Sequence, residues 1–278
     1  MASPSGSKRG ESRRPWLWST PTLLVLLLVL TERAFAEVPV LGRWQEFAYS
    51  EEAVNQEAAI AYASRLAALK RQGQLDDDAQ VFARVRRVGG ILIREALELK
   101  PSGRRWSWDI HTTSGGDERA FCMAGGKLLF SSAYIRRLDL SESELATLIG
   151  HEVAHAIAEH QREILSEVFY RNTALTPLSV QTAMVRFDTN WSLQIELAKL
   201  SSIQESEADQ LGMTIAHNAG WDSAGMVSFY RKLTAPERES ALGWGYPTAS
   251  SRLGMAETFA RLYPRNASLS PLRRHKAG

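Results

Sequence analysis

The spacing of apolar residues along the chain predicts that most of it is helical. From Ser50 to Arg71 the chain is rich in alanine and glutamate, and apolar residues recur at helical spacing until Gly73. A second helix is predicted from Asp76 to Leu99, although the adjacent glycines 89 and 90 weaken its centre. Further helices are predicted over 141–161, 191–218, 222–233 and 247–262.

A short region between these helices has the pattern of strands. Residues Trp106–Thr112 alternate apolar and polar side chains, and Ala120–Met123 and Lys127–Phe130 flank Gly125-Gly126 as two short strands. The order of helices, a small sheet and further helices predicts an α+β, predominantly helical fold rather than alternating βαβ units. Residues 163–190 are the least readable part of the chain.

The N-terminus has the layout of a secretory signal peptide. A basic stretch, Lys8–Arg14, precedes the apolar run Leu23–Leu30 and the small-residue site Ala34-Phe35-Ala36. We therefore expect residues 1–36 to be a cleaved leader and the protein to be exported, most simply to a bacterial periplasm. The apolar run is too short to cross ~30 Å of hydrocarbon as a helix. The alternative is a protein anchored in a membrane through an uncleaved N-terminal segment.

The remainder has ordinary globular composition. Apolar residues make up 44% and charged residues 23%, which excludes a mostly disordered chain. The net charge of +2 comes from the leader, since the chain beyond residue 36 carries 28 basic and 29 acidic residues. That balance gives no reason to expect a nucleic-acid partner. We expect one domain over 37–265 and a basic, flexible tail over 266–278. The single cysteine, Cys122, excludes an intrachain disulfide and a thiolate metal cluster.

The strongest chemical signal is the motif His151-Glu152-Val153-Ala154-His155. It lies in a predicted helix that begins at Ser141, with Glu144 placed to complete a capping box. Histidines four residues apart project from one helix face, where two imidazoles can bind one zinc ion. Glu152 lies beside them, where it can take a proton from a water molecule.

A third ligand is predicted from a later helix. Glu205 and Asp209 are four residues apart and share a helix face. Glu205 would complete a two-histidine, one-glutamate site with a fourth position open. Asp209 could accept the free ring N–H of a ligand histidine. Glu207 points elsewhere on that helix and is the weaker ligand candidate, and His160 falls off the ligand face.

These motifs resemble the family of zinc metallopeptidases that contains HtpX, BepA and the CAAX prenyl endopeptidases, which are gluzincins. Mitochondrial Oma-type proteases are in the same group. The resemblance extends from Trp106 to Tyr263 and includes the segments 120–127 and 219–222. It implies a zincin-like fold with a small β-sheet. It also implies one Zn²⁺ per chain with His151, His155 and Glu205 as ligands, and Glu152 as the catalytic base.

The chain departs from the family pattern at several positions. Arg119 stands where the family has asparagine, and Ala124 where it has proline. Near the C-terminus the family's His-Pro pair is Tyr246-Pro247, while Arg252 keeps the family's spacing. We expect Tyr246 to donate a hydrogen bond to the oxyanion, with Arg252 adding positive charge or holding the shape of the site. The alternative is that Tyr246 only packs.

Together these features predict a zinc-dependent endopeptidase of exported proteins. We expect it to bind protein substrates in extended form, through an edge strand near Lys127–Phe130. The resemblance implies misfolded or misassembled envelope proteins as substrates, and peripheral association with a membrane or membrane proteins. The alternative is a latent or chaperone-like zinc-binding assembly factor with little proteolysis.

Overall fold

The structure is a computed structural model that describes residues 34–115, 119–172, 177–234 and 247–264. The helices are α1 (Glu51–Arg71), α2 (Ala79–Leu99), α3 (Ser132–Arg137), α4 (Glu142–Ile157), α5 (His160–Tyr170), α6 (Val180–Thr189), α7 (Trp191–Asn218), α8 (Ser223–Leu233) and α9 (Ala249–Leu262), with a 3₁₀ turn at Pro101–Arg105. The strands are β1 (Ala34–Glu37), β2 (Trp44–Phe47), β3 (Asp109–Thr113), β4 (Ala120–Met123) and β5 (Lys127–Ser131). This α+β, predominantly helical architecture agrees with the sequence prediction.

The strands form two small sheets. Strands β1 and β2 make an antiparallel ribbon, while β5 pairs in parallel with β3 and in antiparallel with β4. The order β3-β5-β4 places β5 in the centre, so the prediction of an edge strand at Lys127–Phe130 was wrong. The edge strand on the side of the HExxH helix is β4. Local alternation predicts a strand but carries no information on which neighbours will pair with it.

Helix α4, which carries the HExxH motif, is fixed at its N-terminus by the predicted capping box. The backbone N–H of Ser141 donates to Glu144 at 2.7 Å, and the backbone N–H of Glu144 donates to the Ser141 hydroxyl at 3.4 Å. Glu144 also accepts from Ser228 and Lys232 of α8, at 2.6 and 2.8 Å. The cap therefore ties α4 to α8 as well as satisfying its first turn.

One predicted helix proves to be two. The pattern over 141–161 predicts one continuous helix, but α4 ends at Ile157 and Glu159 takes a left-handed conformation with φ 54°. The Glu159 carboxylate is held by Arg162 at 2.6 Å and by Lys100, which stabilises this turn. The break redirects the chain into α5. The least readable stretch, 163–190, contains the rest of α5 and all of α6.

Helices α4 and α7 cross at a pair of glycines. A Cβ atom on Gly150 would lie 2.8 Å from the carbonyl oxygen of Gly212, and one on Gly212 would lie 2.7 Å from the backbone nitrogen of His151. Backbones can approach this closely only where neither residue has a side chain. Helix α4 also packs against α2 and α8, so nearly all of it is buried.

No helix in the described ranges is both long enough and apolar enough to span a lipid bilayer. The predicted leader lies almost entirely outside the described residues, as do Tyr246 and the C-terminal tail.

The glycine crossing generates the first prediction. Gly212→Ala should destabilise the protein by about 1–3 kcal/mol, because the added methyl group meets backbone atoms that cannot move aside. Gly254→Ala is the matched control, since Gly254 is exposed on α9 and a Cβ there meets nothing within 4 Å. The control should leave stability unchanged or raise it by up to about 1 kcal/mol. Thermal unfolding measures both, and equal melting temperatures would contradict the steric role of Gly212.

Candidate metal centre

Three side chains from α4 and α7 converge on one point. The Nε2 atoms of His151 and His155 lie 3.1 Å apart. Glu205 places one carboxylate oxygen 3.3 Å from Nε2 of His151 and the other 3.3 Å from Nε2 of His155. One ligand atom from each residue lies within 4.8 Å of the others, an arrangement that could hold a metal ion. Two imidazole nitrogens and a carboxylate oxygen are donors that zinc accepts.

Asp209 supports the first of these histidines. Its Oδ1 accepts from Nδ1 of His151 at 2.9 Å and from the hydroxyl of Tyr230 at 2.6 Å. Arg252 donates to both carboxylate oxygens, Nε to Oδ2 at 2.7 Å and Nη2 to Oδ1 at 2.5 Å. Asp209 is fully buried, so these contacts replace its hydration. The proton on Nδ1 of His151 is thereby fixed, and Nε2 is the ring nitrogen that faces the other ligand atoms.

His160 lies against the second histidine. Its Nδ1 is 2.9 Å from Nδ1 of His155, and its Nε2 is 3.2 Å from Glu207 Oε2. Burial lowers the pKa of His160 to about 4, so this ring is neutral. The prediction that His160 falls off the ligand face assumed an unbroken helix. The turn at Glu159 brings it back towards His155.

The charged groups of the site shift one another's pKa values. Burial alone would lower the pKa of His151, but Asp209 and Glu205 outweigh it and raise that pKa to about 10. Burial opposes ionisation of Glu205, yet the two histidines hold its pKa well below the ordinary value. Burial raises the pKa of Glu152 despite the neighbouring histidines.

A cleft of about 700 Å³ opens beside the triad. Strand β4 and the following turn form one wall, from Phe121 to Gly125, and His155 and Glu205 also line the cleft. Other parts of its lining are apolar side chains from α5 and α6, namely Ile164, Leu165, Met184 and Phe187.

The structure brings together most of the residues singled out from the sequence. His151, His155 and Glu205 form the triad, Glu152 is buried on the same helix, and Asp209 contacts His151. Arg252 contacts Asp209 through the donors described above. Glu207 stands outside the triad. Tyr246 lies outside the described residues, so its role stays a prediction.

Sequence reasoning missed three contacts of the site. Tyr230 and Arg43 occur in no motif, and His160 was excluded by the assumed helix geometry. The five-residue spacing from His155 to His160 indicates a contact between the two rings only if the helix break between them is known.

A helix bearing HExxH, a carboxylate from a later helix and a small sheet beside them define a zincin-like metallopeptidase fold. A family model, that of peptidase family M48, matches residues 79–260. Because this match covers well over half of the sequence, the chain belongs to peptidase family M48.

Individual relatives resemble the chain more distantly. The mitochondrial metalloendopeptidase OMA1 of Arabidopsis thaliana is 29% identical over 127 residues, which are 46% of this chain and 26% of that protein. The beta-barrel assembly-enhancing protease of Yersinia pestis is 28% identical over 145 residues, 48% of this chain and 30% of that protein. OMA1 of Schizosaccharomyces pombe is 26% identical over 163 residues, 56% and 43% respectively. The chain thus spans less than half the length of these relatives.

The contacts of Asp209 generate the second prediction. Asp209→Asn keeps the size of the side chain but removes its charge, leaving Arg252 buried without its counter-ion. We expect zinc affinity to fall by ~10–100-fold, since partners that orient a ligand histidine contribute that much.

Tyr230→Phe is the control, because it deletes one donor to Asp209 and should cost only about 1 kcal/mol of stability. Chelator competition measures zinc affinity in both variants. If Asp209→Asn bound zinc as tightly as Tyr230→Phe, the charge of Asp209 would have no part in holding the metal.

Proposed function

We propose that this chain is a zinc-dependent endopeptidase. The observation that carries the proposal is the convergence of His151, His155 and Glu205 within 4.8 Å, with Glu152 beside His151 on the same buried helix. This donor set suits zinc, because it supplies two nitrogens and one oxygen and leaves a coordination position free. When bound, such an ion polarises a scissile carbonyl and activates water for attack.

The residues of the chain supply the proton transfers. Glu152 accepts a proton from the attacking water on its carboxylate and returns it to the nitrogen of the leaving amine. It is 8% exposed, which keeps bulk water from competing for the proton. Asp209 and its partner Arg252 keep His151 in the tautomer that presents Nε2 to the metal.

Strand β4 supports an extended mode of substrate binding. It lies at one edge of its sheet and forms one wall of the cleft that His155 and Glu205 line. An edge strand can add a substrate strand through backbone hydrogen bonds, which requires an extended and unfolded segment. The apolar lining from Met184 and Phe187 would accept apolar substrate side chains. We therefore propose protein substrates whose apolar segments are exposed.

The names of the relatives support a role in protein quality control. One group is named for beta-barrel assembly and the other for mitochondria. For this chain we propose cleavage of misfolded or misassembled envelope proteins in a bacterial periplasm, with contacts to the membrane or its proteins.

The expected cleavage after Ala36 would remove Ala34–Ala36 from β1 but spare Val38, the first buried residue of the described chain. N-terminal sequencing of the exported protein decides between a cleaved leader and a retained anchor.

The third prediction separates the base from the ligands. Glu152→Gln should retain bound zinc and lose hydrolysis of casein, because it removes a proton acceptor and not a ligand. Glu205→Ala should lose most of the zinc together with the activity.

Zinc content by elemental analysis and casein hydrolysis should be measured on the same preparations. Full zinc occupancy in Glu205→Ala would contradict the assigned third ligand. Zinc binding by the unaltered protein without any hydrolysis would favour a latent or chaperone-like assembly factor.

A further inference from the structure

The two ligand histidines are supported from opposite directions. His151 is held by Asp209. His155 is instead the first residue in a series of contacts that leads away from the metal centre. Nδ1 of His155 meets Nδ1 of His160, whose Nε2 meets Glu207 Oε2. Glu207 in turn accepts from Arg43, Nε to Oε1 at 2.5 Å and Nη2 to Oε2 at 2.9 Å.

The direction of these hydrogen bonds follows from the ligand role of His155. If Nε2 of His155 binds the metal as a neutral imidazole, its proton lies on Nδ1 and must be donated. Nδ1 of His160 must then accept, which places the proton of that ring on Nε2. That proton faces Glu207, a carboxylate that can only accept. Every donor in the chain therefore meets an acceptor.

The far end of the chain of contacts is tightly held. Arg43 also donates to Glu163, at 2.5 and 2.8 Å, so one guanidinium joins two carboxylates. Glu163 accepts in addition from Gln45 at 3.0 Å and Gln204 at 2.8 Å. His160, Glu207 and Glu163 are each buried. Because each carboxylate is engaged on several sides, Glu207 has little freedom to turn away from His160.

Gln45 lies in β2 and Arg43 directly precedes that strand, so both lie outside the residues that match the family model. We propose that this segment, Arg43–Gln45, helps to position the ligands of the metal centre. Arg43 fixes Glu207, Glu207 fixes the tautomer and angle of His160, and His160 orients His155 towards the metal. These are positioning residues, since each acts through the next. The inference rests on the proposed metal site, and it adds a part of the chain that the ligand motif does not include.

The test compares two carboxylates that share Arg43. Glu207→Gln and Glu163→Gln each remove one negative charge next to Arg43, but only Glu207 contacts His160. We expect Glu207→Gln to weaken Zn²⁺ binding by ~10-fold or more, and Glu163→Gln, which acts on the site through Arg43, to weaken it much less. Chelator competition gives the Zn²⁺ affinity, and the visible absorption of the Co²⁺-loaded protein reports the geometry of the ligands without reference to activity.

A second pair tests the contact to His155 directly. His160→Phe keeps a ring of similar size but cannot accept from Nδ1 of His155. His160→Asn can place its carbonyl oxygen near the position of the lost Nδ1. We expect the asparagine variant to retain more Zn²⁺ affinity than the phenylalanine variant. Circular dichroism checks that each variant is folded. Should a buried variant fail to fold, Arg43→Lys replaces it, since lysine cannot bridge both carboxylates and should also weaken Zn²⁺ binding.

The outcomes separate this inference from the proposed function. Equal Zn²⁺ affinities and equal Co²⁺ spectra in Glu207→Gln and Glu163→Gln would overturn the role of the segment Arg43–Gln45. So would a His160→Phe variant that binds Zn²⁺ as tightly as the unaltered protein. Zn²⁺ binding without proteolysis would overturn only the proposed enzyme. An unaltered protein that binds no Zn²⁺ would overturn both.

Discussion

The site depends on how closely α4 and α7 can approach. Gly150 directly precedes the HExxH motif, and Gly212 lies two turns beyond Glu205 on the facing helix. Because neither glycine carries a side chain, the two backbones can lie close together, and the carboxylate oxygens of Glu205 reach to 3.3 Å from Nε2 of His151 and of His155. If either helix were displaced by the width of a methyl group, Glu205 could no longer lie this close to both histidines. The crossing therefore turns two separate motifs into one metal centre.

Close approach alone would leave the imidazoles free to rotate. Each ligand histidine is instead held by a buried charged group, Asp209 for His151 and, through His160, Glu207 for His155. Burying carboxylates is costly unless every oxygen has a partner. Arg252 and Arg43 meet that requirement, one for each carboxylate. Both arginines approach from elements far away in the sequence, so the orientation of the site requires that most of the chain be folded.

The sequence predicts those features that rest on local spacing. The positions of His151, His155, Glu205 and Asp209 follow from a period of four on a helix, and most helix boundaries follow from caps and apolar spacing. Features that depend on contacts between distant segments were not predictable. Strand order, the β1–β2 ribbon and the contacts of Arg43 are of this kind. The turn at Glu159 is another, because it is stabilised by Lys100, which directly follows α2.

Under the proposed function, strand β4 and the cleft beside it would make different contributions to substrate recognition. Backbone pairing with β4 is indifferent to side chains, so it selects a substrate for being extended rather than for its sequence. Selectivity among extended segments must then come from the cleft, whose walls include Phe121, Met184 and Phe187. Apolar walls favour the side chains that a correctly folded protein buries. Under the proposed function, a site with these two properties would discriminate between folded and unfolded states, which is the discrimination that protein quality control requires.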